Sequence, residues 1–199
     1  MPTRRAAEWR YRTMKTMNTA NKLTVLRMIL VPFFMAFLMI DSTWCRVTAL
    51  IIFIAASITD AADGYIARHY NQTSTFGKFM DPIADKVLTT AAFVVLLSLG
   101  RMSPWALIII LVREFIVSGV RLLAAADGTV IAASMSGKIK TVSQMVAIIA
   151  AIILLIPYFS ELAGETAPKI ITEVLIWIST AATAFSGIEY VVKNRSVFK

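Results

Sequence analysis

Residues 46–68 read RVTALIIFIAASITDAADGYIAR. An uncharged run over 47–59 ends abruptly in two aspartates three residues apart, a glycine and an arginine. A surface helix of a soluble protein interleaves polar residues every three or four positions, and this run does not. A segment apolar on every side belongs in lipid. At 1.5 Å per residue the run covers about 20 Å of a hydrocarbon core about 30 Å thick. Asp60 therefore sits about 10 Å short of the opposite surface, where a charge is costly unless it faces a cavity or a partner.

The same arithmetic applies to the next apolar run. Counting back from Leu99 puts Asp85 about 21 Å from the outer end of its segment, the depth of Asp60. Asp60 and Asp63 are spaced i,i+3, and Asp81 and Asp85 are spaced i,i+4, so each pair shares a helix face. Four carboxylates at one level in a low-dielectric cavity repel one another or take up protons. Divalent cations relieve that repulsion, and an all-oxygen donor set suits Mg²⁺, Mn²⁺ or Ca²⁺ rather than zinc. Gly64 allows a ligand or a neighbouring helix close to the backbone. Arg68, one to two turns past Asp63, suits bidentate phosphate binding. Structural alternatives exist for single residues. Asp81 before Pro82 also fits an N-cap with proline at N1. Asp85 could pair with Lys86, and Asp63 with Arg68. None of these accounts for four acids at one depth.

Composition agrees with a membrane protein. Of 199 residues, 58% are hydrophobic and 16% charged, against roughly 25% charged in a soluble domain; the mean hydropathy is +0.72. The expected fold class is an all-α integral membrane protein, a six-transmembrane-helix bundle with a polar cavity open to the cytoplasm. The spans are expected at about 23–41, 46–66, 83–100, 104–126, 139–157 and 169–192. Trp44, Trp105, Tyr158 and Tyr190 fall near span ends, where amphipathic rings favour the interface. Pro104 and Pro157 also fall at ends, where proline costs a helix little. With both termini on one side, 17 of the 20 Lys and Arg residues lie on that side. The positive-inside rule then makes it the cytoplasm of a multi-pass inner (cytoplasmic) membrane protein, with the active site facing the same way.

Cys45 is the single cysteine, so no intrachain disulfide can form. His69, the single histidine, falls among polar residues and is read as solvated. Residues 1–16, with Arg4, Arg5, Arg10, Arg12 and Lys15, lack an apolar core and are not a signal peptide. They read as a basic N-terminal extension or an expression remnant ahead of one membrane domain, 17–199.

The second half carries a cationic set. Arg113 and Glu114 lie about 12–14 Å in from Trp105. Arg121 follows eight residues after Arg113 on roughly the same face, and Lys138 and Lys140 begin the fifth span. Glu114 is open to two readings, a ligand-pocket residue or half of a buried Arg–Glu pair holding the bundle. Arg113, Arg121 and Lys138 together suit a second anionic group. Serine, choline or inositol would not need so many fixed cations; the dianionic phosphate of glycerol 3-phosphate would.

The order Asp60-Ala-Ala-Asp63-Gly64-Tyr-Ile-Ala67-Arg68, eight residues, Gly77-Lys78-Phe-Met-Asp81-Pro-Ile-Ala-Asp85 resembles the signature D-x2-D-G-x2-A-R-x8-G-x3-D-x3-D of the CDP-alcohol phosphatidyltransferases. Every fixed position is met. The resemblance implies that family's six-helix architecture with a cavity open to the cytoplasm, and a homodimer. It implies two divalent ions, Mg²⁺ or Mn²⁺. Asp60, Asp63 and Asp81 would hold one, and Asp60, Asp81 and Asp85 the other. Asp85 would also act as general base. Gly64, Ala67, Arg68, Ser74, Gly77 and Lys78 would contact CDP-diacylglycerol, with Asn21 through Thr24 lining its other side.

Further motifs narrow the branch. Arg113-Glu-Phe-Ile-Val-Ser118-Gly119-Val-Arg121, the stretch from Gly128 through Ser134 and Gly137-Lys138-Ile-Lys140-Thr141, and Asn18-x-x-Asn21-x-Leu-Thr24-x-x-Arg27 are similar to the bacterial phosphatidylglycerophosphate synthases. The implied reaction moves the phosphatidyl group from CDP-diacylglycerol to glycerol 3-phosphate in a single displacement. Arg113, Glu114, Arg121 and Lys138 would bind the acceptor. Membrane lipids are the surrounding partners, and no nucleic acid is expected. Two competing readings remain. One is the same chemistry with inositol phosphate, serine or phosphatidylglycerol as acceptor. The other is an ion-coupled transporter, against which the unlike halves of the chain argue, since such folds usually repeat.

Overall fold

The computed structural model describes residues 19–69, 75–126, 131, 134–159, 164 and 166–195, and their side chains except at 19–22, 60–82, 85 and 125–126. The basic extension expected over 1–16 lies outside these described residues. Among them there is no strand, and six long helices account for most of these described residues. They are α1 (Thr19–Met39), α2 (Thr43–His69), α3 (Thr75–Ser98), α4 (Pro104–Ala126), α5 (Met135–Leu155) and α6 (Thr166–Lys193).

Their ends follow local chemistry. Leu99 and Gly100 close α3 in a Schellman arrangement, with Arg101 N–H donating to the Leu96 carbonyl (2.8 Å) and Gly100 N–H to that of Leu97 (3.0 Å). Gly100 has φ +66°, a region that glycine enters at little cost. Pro104 opens α4, where its missing N–H has no partner to lose. Ser134 caps α5, its hydroxyl accepting from Gly137 N–H at 3.1 Å. Pro157 follows the C-cap, Ile156. Pro32 lies inside α1, where it removes one backbone hydrogen bond.

Five of the six helices begin before their expected apolar run, α4 alone coinciding with it, because backbone bonding continues into polar sequence where hydropathy falls off. The largest difference is in α3, which begins at Thr75 and not near residue 83. Asp81 is therefore inside a helix, and the N-cap alternative for it fails.

The helices pack as two triplets. α1 lies along α2 and α3, and α6 lies along α4 and α5. The triplets meet where α2 touches α5 and where α3 touches α4 and α5. Phe34 and Leu38 of α1, Phe53 of α2, Phe93 and Leu96 of α3, and Ile148 and Ile152 of α5 form one continuous core. Phe34 and Phe53 stack at 5.6 Å between ring centroids. A second, smaller cluster joins Val117 and Val120 of α4 to Tyr190 of α6. At the other end of the molecule, Arg46 is buried. It pairs with Asp41 at 2.9 Å and donates to the Leu155 carbonyl, satisfying the open C-terminal end of α5.

Two helices, Met135–Leu155 and Thr166–Lys193, are long and apolar enough to cross a membrane, and shorter apolar helical stretches occupy Leu23–Met39, Thr43–Thr59 and Lys86–Ser98. α4 is 23 residues long and carries Arg113, Glu114 and Arg121 within it. Ile29, Phe33, Ile51, Ile108, Phe115, Val146, Ile178 and Phe185 are exposed on the outer faces of the helices. Trp44, Trp105 and Tyr158 are also exposed, whereas Tyr190 is 2% exposed and belongs to the interior.

Candidate functional site

The acidic signature falls on two packed helices. Asp60, Asp63, Gly64, Ala67 and Arg68 lie in the second half of α2, and Gly77, Lys78, Asp81 and Asp85 in the first half of α3. Asn21 lies in the first turn of α1. The side chains of all of these lie outside the described residues, as does Ser74 altogether. Thr24 of the same amino-terminal motif is described and 1% exposed, with Arg27, one turn on, 2% exposed.

From Asp85 the structure continues into described territory. Lys86, the next residue, donates to the Ser118 hydroxyl of α4. Ser118 in turn donates to the Glu114 carbonyl at 2.6 Å. This contact ties the helix carrying the second aspartate pair to the helix carrying the cationic set.

The cationic set is interlocked. Arg113, 9% exposed, donates through Nη2 to the Ser186 hydroxyl of α6 at 2.9 Å and through Nη1 to Glu114 Oε1 at 3.3 Å. Lys140 of α5, 7% exposed, donates to the same Glu114 oxygen. One carboxylate thus bridges two buried cations from two helices, leaving a net charge of +1 in the group. Charges this far from water need such compensation. Arg121, one helical stretch further along α4, donates through Nε to the Tyr190 hydroxyl at 3.2 Å, and its guanidinium lies 5.6 Å from the centre of the Tyr190 ring. Lys138 is exposed on the first turn of α5. Arg113 and Glu114 are therefore brought together, and Arg121 is held by the same helix, α6, that holds Arg113.

Two residues in this arrangement carried a weak or absent sequence signal. Lys140 was visible only as a second lysine beside Lys138; its side chain, one turn before Gln144 on the same buried face, turns to Glu114. Ser186 and Tyr190 looked like ordinary small and interfacial residues of an apolar helix. Their helical neighbours Thr172, Ser179, Thr180 and Thr183 are likewise buried, most bonding a carbonyl three or four residues back, and Gln144 donates to Thr183 at 3.0 Å. A stripe of hydroxyls along one face of an apolar helix was the signal that could have pointed to α6 as the polar wall of the interior.

A profile of the CDP-alcohol phosphatidyltransferase family matches residues 17–185. Among curated relatives, the CDP-diacylglycerol–glycerol-3-phosphate 3-phosphatidyltransferase of Bacillus subtilis (strain 168) is 37% identical over 194 residues, covering 92% of this chain and 97% of that protein. The enzyme of the same name from Escherichia coli (strain K12) is 40% identical over 136 residues, 66% of this chain and 74% of that protein. A probable phosphatidylglycerophosphate synthase of Mycobacterium tuberculosis (strain H37Rv) is 45% identical over 134 residues, 66% of this chain and 64% of that protein.

Proposed function

This chain belongs to the CDP-alcohol phosphatidyltransferase family, and from that premise we propose that it transfers the phosphatidyl group of CDP-diacylglycerol to glycerol 3-phosphate, giving phosphatidylglycerophosphate and CMP. The observation that carries the reading is the near full-length match to a relative named for that reaction. The buried cations of α4 and α5 support a phosphorylated acceptor over a neutral one.

The donor set suits hard divalent cations: four carboxylates, on two helices that pack together, with one helical turn between the members of each pair. Asp60, Asp63 and Asp81 would hold one Mg²⁺ or Mn²⁺, and Asp60, Asp81 and Asp85 a second. Such ions, when bound, neutralise the pyrophosphate and stabilise the charge on departing CMP. The protein residues do the rest. Arg68, with Gly64, Ala67, Ser74, Gly77, Lys78, Asn21 and Thr24, grips the CDP part of the donor. Arg113, Arg121 and Lys138 hold the acceptor phosphate, with Glu114 holding Arg113 in position. Asp85 takes the proton of the acceptor hydroxyl as its oxygen bonds to the β-phosphorus of CDP-diacylglycerol. The bond from that phosphorus to the bridging oxygen breaks, and its electron pair leaves with CMP. No covalent enzyme intermediate is needed.

In this reading the six helices span the cell's inner (cytoplasmic) membrane, with both termini and the cavity mouth on the cytoplasmic side, and the protein works as a homodimer among membrane lipids. The Lys and Arg distribution supports that orientation.

Purified protein in detergent, given CDP-diacylglycerol and Mg²⁺, is expected to release CMP only when glycerol 3-phosphate is added. EDTA is expected to stop release, and excess Mg²⁺ to restore it. Release with inositol phosphate, serine or phosphatidylglycerol instead would keep the chemistry and replace the acceptor. No release with any alcohol from folded protein would turn the reading toward transport. Arg121→Ala and Lys138→Ala are each expected to raise the KM for glycerol 3-phosphate about tenfold, the value of one charge-assisted hydrogen bond, with the KM for CDP-diacylglycerol little changed. Equal loss for both substrates would point to collapse of the cavity.

A further inference from the structure

Gly187 sits inside α6, flanked by helical residues, and has no left-handed φ to require glycine. A glycine within a helix costs about 1 kcal/mol relative to alanine, so its presence calls for a reason of space. The reason is the stem of Arg113. A Cβ at position 187 would lie 2.7 Å from Arg113 Cγ and 3.6 Å from Arg113 Cβ. Cγ is near the root of the side chain and cannot swing aside as a terminal atom could. The preceding residue, Ser186, is 0% exposed and accepts from Arg113 Nη2 at 2.9 Å. Adjacent residues of one helix thus hold both the base and the tip of this arginine.

The tip reaches the start of α5. A Cβ on Gly137 would lie 3.9 Å from Arg113 Nη2 and 3.3 Å from the Ser134 hydroxyl that caps the helix. The bonds to Ser186 and Glu114 occupy two of the guanidinium's five N–H donors. The Nε, fully buried, bonds to no described residue. A buried arginine held on two sides, with donors to spare and its head at a helix N-terminus, is arranged for an anion.

We propose that Ser186 and Gly187 are positioning residues that set acceptor specificity: Gly187 forms the slot for the Arg113 stem, and Ser186 fixes the guanidinium toward the acceptor phosphate. The inference rests on the reading that Arg113 binds that phosphate, and it assigns to α6 a part in substrate selection.

The test is a double-mutant cycle on full-length protein in detergent, following CMP release against glycerol 3-phosphate and, separately, against CDP-diacylglycerol. Arg113→Ala and Gly187→Ala are each expected to raise the glycerol 3-phosphate KM about tenfold, with the CDP-diacylglycerol KM within about twofold of the parent. Adding Gly187→Ala to Arg113→Ala should change nothing further, because the atom it would strike is then absent. That double variant also removes the overlap, so poor folding of the single Gly187→Ala protein would not hide the result. Ser186→Thr, which keeps the hydroxyl, should retain the low KM that Ser186→Ala loses. An elevated KM for Arg113→Ala with an unchanged one for Gly187→Ala would overturn the slot while leaving the acceptor pocket standing. Additive effects in the double variant, or equal loss for both substrates, would overturn it as well. An unchanged KM for Arg113→Ala would remove the pocket reading and this inference with it.

Discussion

Asp85→Asn is expected to lower CMP release by about a thousandfold or more while the protein stays folded in detergent. Asparagine matches aspartate in size and helix compatibility but cannot accept the proton of the acceptor hydroxyl. It also withdraws one charge from the four carboxylates proposed to hold the divalent ions. Both losses fall on the displacement step proposed for Asp85. If the four carboxylates share one site as proposed, taking one negative charge from them eases repulsion in the metal-free protein, so the thermal midpoint without Mg²⁺ should hold or rise. The measurement is CMP release at saturating substrates, paired with a thermal melt in EDTA and in Mg²⁺. Turnover near the parent value would remove Asp85 as the base. A lost transition would show that its role is structural.

Glu114→Gln is expected to lower the thermal midpoint by about 5–10 °C, from a destabilisation of about 3 kcal/mol. Glu114 is the carboxylate between Arg113 and Lys140, both nearly buried. A neutral amide leaves two cations facing each other in a low dielectric. Breaking a buried pair by removing one partner costs far more than the intact pair contributes. Lys140→Met should cost less, because Arg113 and Glu114 still balance. The double variant Glu114→Gln, Lys140→Met should recover part of the loss, and that recovery separates charge balance from packing. The acceptor KM should rise in Glu114→Gln, since Arg113 loses one of its two anchors. A midpoint within about 1 °C of the parent would show that water, not Glu114, compensates these cations.

Much of the molecule was legible in the chain. Each of the six expected spans overlaps one of the six long helices, since a long uninterrupted apolar run satisfies its own backbone most readily as a helix. Pro104 and Pro157 marked ends where proline chemistry is local. The polar extension of α3 was less legible, because hydropathy falls off before helical bonding does. Asp81 consequently looked like a cap in the sequence but lies inside the helix.

The family was determined by sequence alone, because fixed spacing along two helices is a local property and the signature is a matter of spacing. The common depth expected for Asp60 and Asp85 rested only on counting residues at a fixed rise. Tertiary structure decided which cation meets which anion. Lys138 and Lys140 are two residues apart, and only the packing of both α4 and α5 on α6 shows the second buried against Glu114 and the first exposed. Tyr190 passed for an interfacial aromatic until α6 was seen to carry it beneath Arg121. Gly187 had no meaning until the stem of Arg113, 74 positions earlier in the chain, was laid across it. A side chain's periodicity tells which face of its own helix it occupies. What stands opposite that face depends on how helices distant in sequence pack, and that is settled only by the fold as a whole.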